Sequence, residues 1–354
     1  DSLEMTQNIW CQELSYFDIN ATSPEMEKML YSASYRSRLT PAIYSEAGGL
    51  YYGFDGKNHN VNEERGEIYS CNASVPEGKF YSDYSLWDTF RTQNPFLFLT
   101  DEPMYIGVLR SFGEITKQQG AFPKWTTGNH DNGCMMGLAG AAGVLEAGLA
   151  GYNQKHFDIN SIQKSLQEIA TTNNSPKNGR ADVAHYMKYG YVSSEAQNKG
   201  SSYTVTYAYD DAILAGISDI IGKTEDAKTA HERSMNYKKI FDQDNLIICP
   251  RSEKNGPMSC PKKPQEDFKH YTEGNALHWT YFVPHDIKGL ISLYPSNDIF
   301  EKRLDDFFEN HIKFQNIYGA LLPNPYFWAG NEPTMLTPYI FTYLKTSKGC
   351  AKTQ

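Results

Sequence analysis

What most limits the fold of this chain is a long succession of helix signals with almost no strand alternation between them. Ser23-Pro24-Glu25 reads as a helix start: Ser can cap, Pro suits the first turn, and Glu complements the positive end of the helix dipole. Met26, Met29, Leu30 and Ala33 follow at the spacing of one buried face. A second start, Thr100-Asp101-Glu102-Pro103, leads into Tyr105, Ile106, Val108, Leu109 and Phe112. The Gly- and Ala-rich stretch from Gly137 to Gly151 predicts a tightly packed inner helix. Asp158 opens another, with Ile159, Ile162, Leu166 and Ile169 on one stripe. Further helices are predicted at 202–221, 224–241, 285–293, 297–311 and 335–345, while strand-like alternation is short, as at Ile43–Tyr52. About ten to twelve helices without a βαβ rhythm predict an all-α toroid of helical hairpins in two layers, although no internal repeat marks the hairpins. In such a fold the loops at one end form the site.

Composition narrows the partners. The 354 residues are 40% hydrophobic and 21% charged, an ordinary globular balance. With 33 Lys+Arg against 42 Asp+Glu the net charge is -9, which disfavours a nucleic-acid partner and suits small neutral substrates or cations. No run approaches the roughly 18 apolar residues of a membrane span, so no membrane partner is expected. Aromatics reach 14%, with 25 Tyr, and flat rings can cover sugar faces; for any single Tyr, a place at the rim of a helix is the plainer reading. Six cysteines show neither C-x-x-C nor zinc spacing. Cys249 and Cys260 bracket a Gly/Pro-rich loop, and that context leaves bridged and free equally open. Three Asn-x-Ser/Thr sequons, at Asn20, Asn72 and Asn173, together with the even cysteine count favour the secretory pathway. The chain starts at Asp1 and reads as a mature chain or an excised fragment.

Four loop clusters could carry chemistry. Tyr81 to Arg91 holds Asp83, Trp87, Asp88 and Arg91: carboxylates and Arg can bind sugar hydroxyls and Trp can cover a sugar face, or Asp88 and Arg91 can simply pair across a first helical turn. Tyr271 to Asp286 sets Glu273 beside Gly274-Asn275 and among aromatics, where desolvation would raise its pKa as a proton donor requires; alternatively Thr272 or Glu273 caps a helix. His278, His285 and Asp286 follow, as second-shell or purely structural residues, the structural role being favoured. Trp328 to Pro333 offers Asn331 and Glu332, hard oxygen donors of the kind Ca²⁺ takes, within an otherwise unremarkable turn. Trp125 to Asn132, running on to Gly137, could line a site or bind a metal but reads better as a polar loop entering a buried helix. A Gly-rich phosphate cradle, G-x-S-x-G, H-E-x-x-H and a Rossmann fingerprint are all missing, which removes support for phosphoryl transfer, serine hydrolysis, zinc proteolysis and NAD chemistry.

Taken in order, YSDYSLWDTFR, AYDDAILA, NYKKIFD followed by CPR, YTEGNALHWTYFVPHD and GNEP closely resemble glycoside hydrolase family 92, whose members are calcium-dependent inverting exo-α-mannosidases; the likeness runs from about Met26 to the last residue. The resemblance implies an (α/α)6 barrel over 23–354, incomplete at its C-terminal end and with minor β hairpins in loops, after an extension or linker at 1–22. It implies that Glu273 is the general acid, that Asn331 and Glu332 help hold Ca²⁺, and that Asp88 binds the far side of a terminal mannose with Trp87 and Arg91 nearby. His278 and His285 are carried with the same motif as candidate substrate contacts, and mannose-containing glycans or glycoproteins are the implied partners.

Two departures bear on this expectation. An inverting enzyme needs a second carboxylate about 6.5–9.5 Å from the acid to activate water. In the family that base lies downstream of a C-x-x-T-Q segment, here Cys350 to Gln354, and an N-terminal β-sandwich domain also lines the site; both fall outside this sequence. Thr334-Met335-Leu336 stands where many members have two His after GNEP, which leaves linkage specificity open. The alternatives are another α-toroid glycosidase and a non-catalytic glycan-binding remnant. Oligomeric state is not indicated.

Overall fold

The computed structural model describes residues 1–16, 18, 20–64, 78–173, 177–253, 255–320 and 322–344. Backbone contacts divide the chain into two compact units, 1–165 and 166–354.

In the first unit the helices are α1 (Ser2–Glu13), α2 (Pro24–Ser37), α3 (Val61–Glu64), α4 (Leu86–Thr89), α5 (Gln93–Thr100), α6 (Glu102–Gln119) and α7 (Ala141–Leu149); α8 (Ile159–Thr171) crosses the boundary. The N-terminal stretch expected as an extension opens with α1, capped by the Asp1 carboxylate at the Leu3 N–H. For α2 the predicted cap is present, Ser23 Oγ accepting from the Met26 N–H at 3.2 Å. Its predicted buried face is not: Met26, Met29 and Leu30 are all exposed, Met29 by 58%. Periodicity puts these side chains on one stripe but cannot supply the element that would cover it. By contrast α6 follows its prediction. Asp101 caps it, accepting from the Met104 N–H at 3.2 Å, and it stops at Gly120, whose φ of +77° is the left-handed cap that a side chain disfavours. Its stripe of Tyr105, Ile106, Val108, Leu109 and Phe112 is buried, with Phe112 edge-on to Tyr84 and Phe122 at 4.9 and 5.5 Å. The small residues of α7 have a packing cause, since a Cβ on Gly143 would collide with the Tyr105 hydroxyl.

Strands are minor. β1 (Ala42–Ile43), β2 (Leu50–Tyr52), β3 (Asn58–Asn60), β4 (Tyr81–Ser82), β5 (Thr126–Thr127) and β6 (His130–Asp131) pair antiparallel as β1–β4, β2–β3 and β5–β6. The alternation from Ile43 to Tyr52 is therefore two short strands in different ladders, paired Ile43 with Tyr81 and Tyr51 with His59.

The second unit contains α9 (Val183–Tyr189), α10 (Gly200–Ile220), α11 (Thr224–Ser234), α12 (Ala276–Thr280), α13 (Ile287–Ser292), α14 (Asn297–Tyr318) and the antiparallel pair β7 (Phe241–Asp242) and β8 (Ile247–Ile248). The helix predicted at 224–241 is α11 followed by a 3₁₀ segment, Met235–Ile240, and the one predicted at 335–345 is 3₁₀ over Thr337–Tyr343. Over two turns the periods of 3.0 and 3.6 residues diverge too little for apolar spacing to separate them. The helix predicted at 297–311 runs on to Tyr318. Among the described residues no helix is long and apolar enough to cross a membrane.

Two features hold the second unit together. Asp211, fully buried on α10, is gripped from both sides. Arg180 Nη1 donates to its two oxygens at 3.0 and 3.1 Å, Arg233 Nε and Nη2 donate at 3.1 and 3.0 Å, and the Tyr186 hydroxyl donates at 3.0 Å. The open question over Cys249 and Cys260 is resolved as a disulfide with Cα atoms 4.8 Å apart. It closes the loop that follows β8. Cys11 and Cys134 are free and exposed, and Cys71 and Cys350 lie outside the described residues. Of the sequons, Asn20 is exposed, Asn72 lies outside the described residues, and so does part of the Asn173 sequon.

Two stability outcomes follow. Asp211→Asn leaves the buried Arg180 and the partly buried Arg233 guanidiniums facing a neutral amide, and is expected to lower unfolding free energy by about 3–5 kcal/mol in a urea titration; a loss below about 1 kcal/mol, the scale of an exposed pair, would count against the network as a stabilising element. Removing both Cys249 and Cys260 by substitution with Ala should lower stability by about 3 kcal/mol, the loop-closure entropy of a ring this size.

Candidate active site

The Tyr81–Arg91 segment is set by the β1–β4 pair and by the β5–β6 hairpin of the same unit. Tyr84 and Thr126 exchange backbone hydrogen bonds at 3.1 and 3.2 Å, and Asp83, at φ +63°, accepts from the Gly128 N–H at 2.8 Å. The hairpin itself is organised by Asp131, which accepts from the Lys124, Trp125 and Gly133 N–H groups and from Gln119 Nε2. Asp131 is thus a buried structural carboxylate, in line with the polar-loop reading of that cluster. Trp87 is buried, and the Arg91 guanidinium carbon sits 4.7 Å over its ring and 4.6 Å over Phe90, a cation–π stack. Asp88 lies in the first turn of α4 and is partly exposed.

In the second unit Glu273 occupies an exposed corner with buried residues on both sides. The corner is held tightly. Tyr271 donates to the Ile248 carbonyl at 2.6 Å, the Thr272 N–H donates to Ser202 Oγ at 3.0 Å, and Trp279 Nε1 donates to the Thr272 carbonyl at 2.7 Å. Glu273 has φ +46°, in the left-handed region, where a non-glycine residue stores about 1–3 kcal/mol and persists only because its surroundings hold it. Gly274 follows for lack of room: a Cβ there would lie 3.0 Å from His278 Nδ1 and 3.3 Å from Trp279 Nε1. The cap of α12 is Asn275, not Thr272 or Glu273. Its Oδ1 accepts from Leu277 and His278 N–H at 2.9 and 3.1 Å, while its Nδ2 donates to the Gln265 and Pro325 carbonyls. Asn275 was the residue to notice, since Asn just before an apolar run is an N-cap signal. Because Asn275 takes that task, the Glu273 carboxylate makes no hydrogen bond or ion pair among the described residues. It is also exposed, so the desolvation expected of it is not present in this chain.

The GNEP turn is fastened to the same corner. Asn331 Nδ2 donates to the Glu273 carbonyl and Asn331 Oδ1 accepts from the Glu332 N–H. Thr334 Oγ1 donates to the Trp328 carbonyl at 2.7 Å, closing the turn from behind. The structure therefore brings Glu273, Asn331 and Glu332 together. His278 is 1% exposed beneath the corner, its Nε2 donating to the Tyr326 carbonyl at 2.6 Å. Burial pushes its pKa down to about 4, against carbonyl contacts that favour the charged form. His285 donates from Nε2 to the Ser234 carbonyl at 2.9 Å, and burial lowers its pKa too. Neighbouring Asp286 caps α13 through the Gly289 N–H and accepts from Tyr237. Both histidines thus spend a nitrogen on bracing backbone, and His278 has no surface to offer a sugar.

As a cation site the GNEP turn offers oxygen only. The Glu332 carboxylate engages no other described residue, whereas both side-chain atoms of Asn331 are already committed. Among the described residues no group of three or more His, Cys, Asp or Glu gathers into a metal cluster. A hard cation such as Ca²⁺ takes about six to eight oxygens. Glu332 and the turn's carbonyls fit the chemistry of part of that shell.

Comparison with known proteins bears on this arrangement. A family model described as the glycosyl hydrolase family 92 catalytic domain matches residues 2–354. The chain is similar to the solved structure of a family GH92 α-mannosidase from Bacteroides thetaiotaomicron, with TM-score 0.81 and 24% identity over 98% of this chain and 42% of that one. The same enzyme in complex with mannoimidazole gives TM-score 0.81 and 23% identity, covering 98% and 44%. A family GH92 inverting mannosidase from the same organism gives TM-score 0.80 and 22% identity, covering 96% and 46%. This chain thus spans less than half the length of these relatives. No curated protein matches. The helix-rich fold with minor hairpins is that of the α/α-barrel catalytic domains of these neighbours. On the match from residue 2 to residue 354, the chain belongs to the glycosyl hydrolase family 92 catalytic-domain family.

Proposed function

We propose that this chain carries the acid side of an exo-acting α-mannosidase that removes terminal mannose from glycans or glycoproteins by single displacement. One observation carries the reading. At the corner tied together by Asn331, the side chains of Tyr271, Asn275, Trp279 and Asn331 are spent on backbone ties, while the carboxylates of Glu273 and Glu332 are left to act on something else. Carboxylates without structural partners in a rigid frame are what catalysis or ligand binding requires.

Glu273 is the general acid: its proton passes to the glycosidic oxygen as the bond to the anomeric carbon breaks. Water attacks that carbon from the opposite face and the configuration inverts. The base that takes the proton from this water is assigned to no residue of this chain. Glu332, with carbonyls of its turn, would hold Ca²⁺, and such an ion would supply Lewis-acid coordination to ring hydroxyls. Trp87, Asp88 and Arg91 are assigned to the terminal mannose on their motif alone. The Cys249–Cys260 disulfide and the sequons speak for the secretory pathway. A second reading, glycan binding without turnover, is favoured by the exposure of Glu273.

Nitrophenyl glycosides separate these possibilities. Turnover of the α-mannoside is expected to fall on chelation and return with Ca²⁺; turnover indifferent to chelation removes the cation, and turnover of another sugar instead removes mannose. Mannose binding without turnover supports the second reading. Glu273→Gln is expected to lower kcat on a poor leaving group by roughly 10²–10⁴-fold, the usual worth of a positioned acid, and far less on an activated aryl mannoside. Unchanged hydrolysis of a natural mannoside by that variant would rule out the acid assignment.

A further inference from the structure

The corner that presents Glu273 stands on His278, and that side chain is left over by the mechanism. It is fully buried, so it meets neither sugar nor solvent. Its Nε2–H is spent on the Tyr326 carbonyl at 2.6 Å, in the segment that leads into the GNEP turn. Its Nδ1 is a buried acceptor with no hydrogen-bond partner, lying directly under Gly274, where an added Cβ would come within 3.0 Å of it. Leaving a buried acceptor unpaired is unfavourable, so the ring is held there by shape. Above the ring the backbone of Glu273 is in the left-handed region. That conformation needs support from both sides. Asn331 supplies one side through the Glu273 carbonyl, and the edges of His278 and Trp279 supply the other.

We propose that His278 is a positioning residue for the general acid: its ring is the floor that keeps the Glu273–Gly274 turn left-handed, and its bond to Tyr326 ties that floor to the segment carrying Asn331 and Glu332. This rests on the reading of Glu273 as the acid. The ring does not titrate in the step; it fixes where the carboxyl group points relative to the departing oxygen. Loss of the floor lets the turn relax, and a misplacement of about 1 Å in a catalytic group costs up to about 10²-fold in rate.

The test compares a methyl α-mannoside, whose departing alcohol needs a proton, with a dinitrophenyl α-mannoside, whose phenolate leaves without one. His278→Phe is expected to lower kcat on the methyl glycoside by roughly 10- to 100-fold, with KM and the dinitrophenyl rate little changed. His278→Gln, which keeps an N–H for the Tyr326 carbonyl, is expected to recover most of the loss. Equal loss on both substrates, loss in KM alone, or no rescue by Gln overturns the proposal. If His278→Phe does not fold, Gly274→Ala carries the test, since its methyl must displace the ring or the turn. Loss confined to the methyl glycoside then supports the proposal, and uniform or absent loss overturns it. Amide hydrogen exchange gives a readout independent of turnover: faster exchange confined to 272–275 and 326–328 in His278→Phe, largely restored in His278→Gln, is expected, and unchanged or uniformly faster exchange in His278→Phe overturns it. Glu273→Gln on the same pair separates the two layers. If it fails to discriminate between the substrates, the acid assignment falls and this proposal with it; if it discriminates and the His278 variants do not, only the positioning role falls.

Discussion

A single residue held in the left-handed region, Glu273, is the point on which the candidate site of the second unit is built. Nothing local favours a glutamate there. The conformation is maintained from outside by the Asn331 amide on the carbonyl of Glu273, by the Trp279 indole on the carbonyl before it, and by the lack of space under Gly274. Its consequence is separation of tasks: Tyr271, Thr272, Gly274 and Asn275 turn inward to make the frame, and Glu273 alone turns outward. A carboxylate presented in this way keeps its oxygens for a ligand.

That frame needs rigid ground, and the second unit supplies it at some energetic risk. One carboxylate, Asp211, receives two guanidiniums and a phenol in a fully buried setting, with desolvation opposed by every oxygen lone pair being used. The disulfide beyond β8 acts on the same ground, because Ile248, next to Cys249, receives the Tyr271 hydroxyl and donates its N–H to Thr280 Oγ1. The loop that the disulfide closes is thereby joined to both ends of the segment carrying Glu273. Order around this corner is concentrated in buried polar contacts, and the Glu273 side chain is left exposed.

The fold was readable where local signals and burial agree. The Asp101 cap, the stripe of α6 and the Gly120 stop all belong to one stretch of chain, and the Ile159–Ile169 stripe of α8 is buried as its spacing predicts. It was not readable at α2, whose stripe is equally regular yet faces solvent, or at Thr337–Tyr343, where spacing could not choose between two windings. For the site, Glu273, Asn331 and Glu332 could be named from motifs, whereas the roles of Asn275, Tyr271 and His278 as ties between segments could not. Their partners are the backbone carbonyls of Pro325, Ile248 and Tyr326, atoms that every residue possesses and no sequence pattern marks.

By itself the sequence determined the helical class, the caps that start several helices, the family, and which side chains have the chemistry of acids and oxygen donors, since all of these depend on residue type and near-neighbour spacing. Only the tertiary structure decided that Cys249 meets Cys260, that Asn331 is used as a tie at the Glu273 carbonyl, and that His278 lies below the surface instead of on it. These depend on distances between segments remote along the chain, and such distances are set by how buried elements pack, which residue identity constrains only through the sum of many weak contacts.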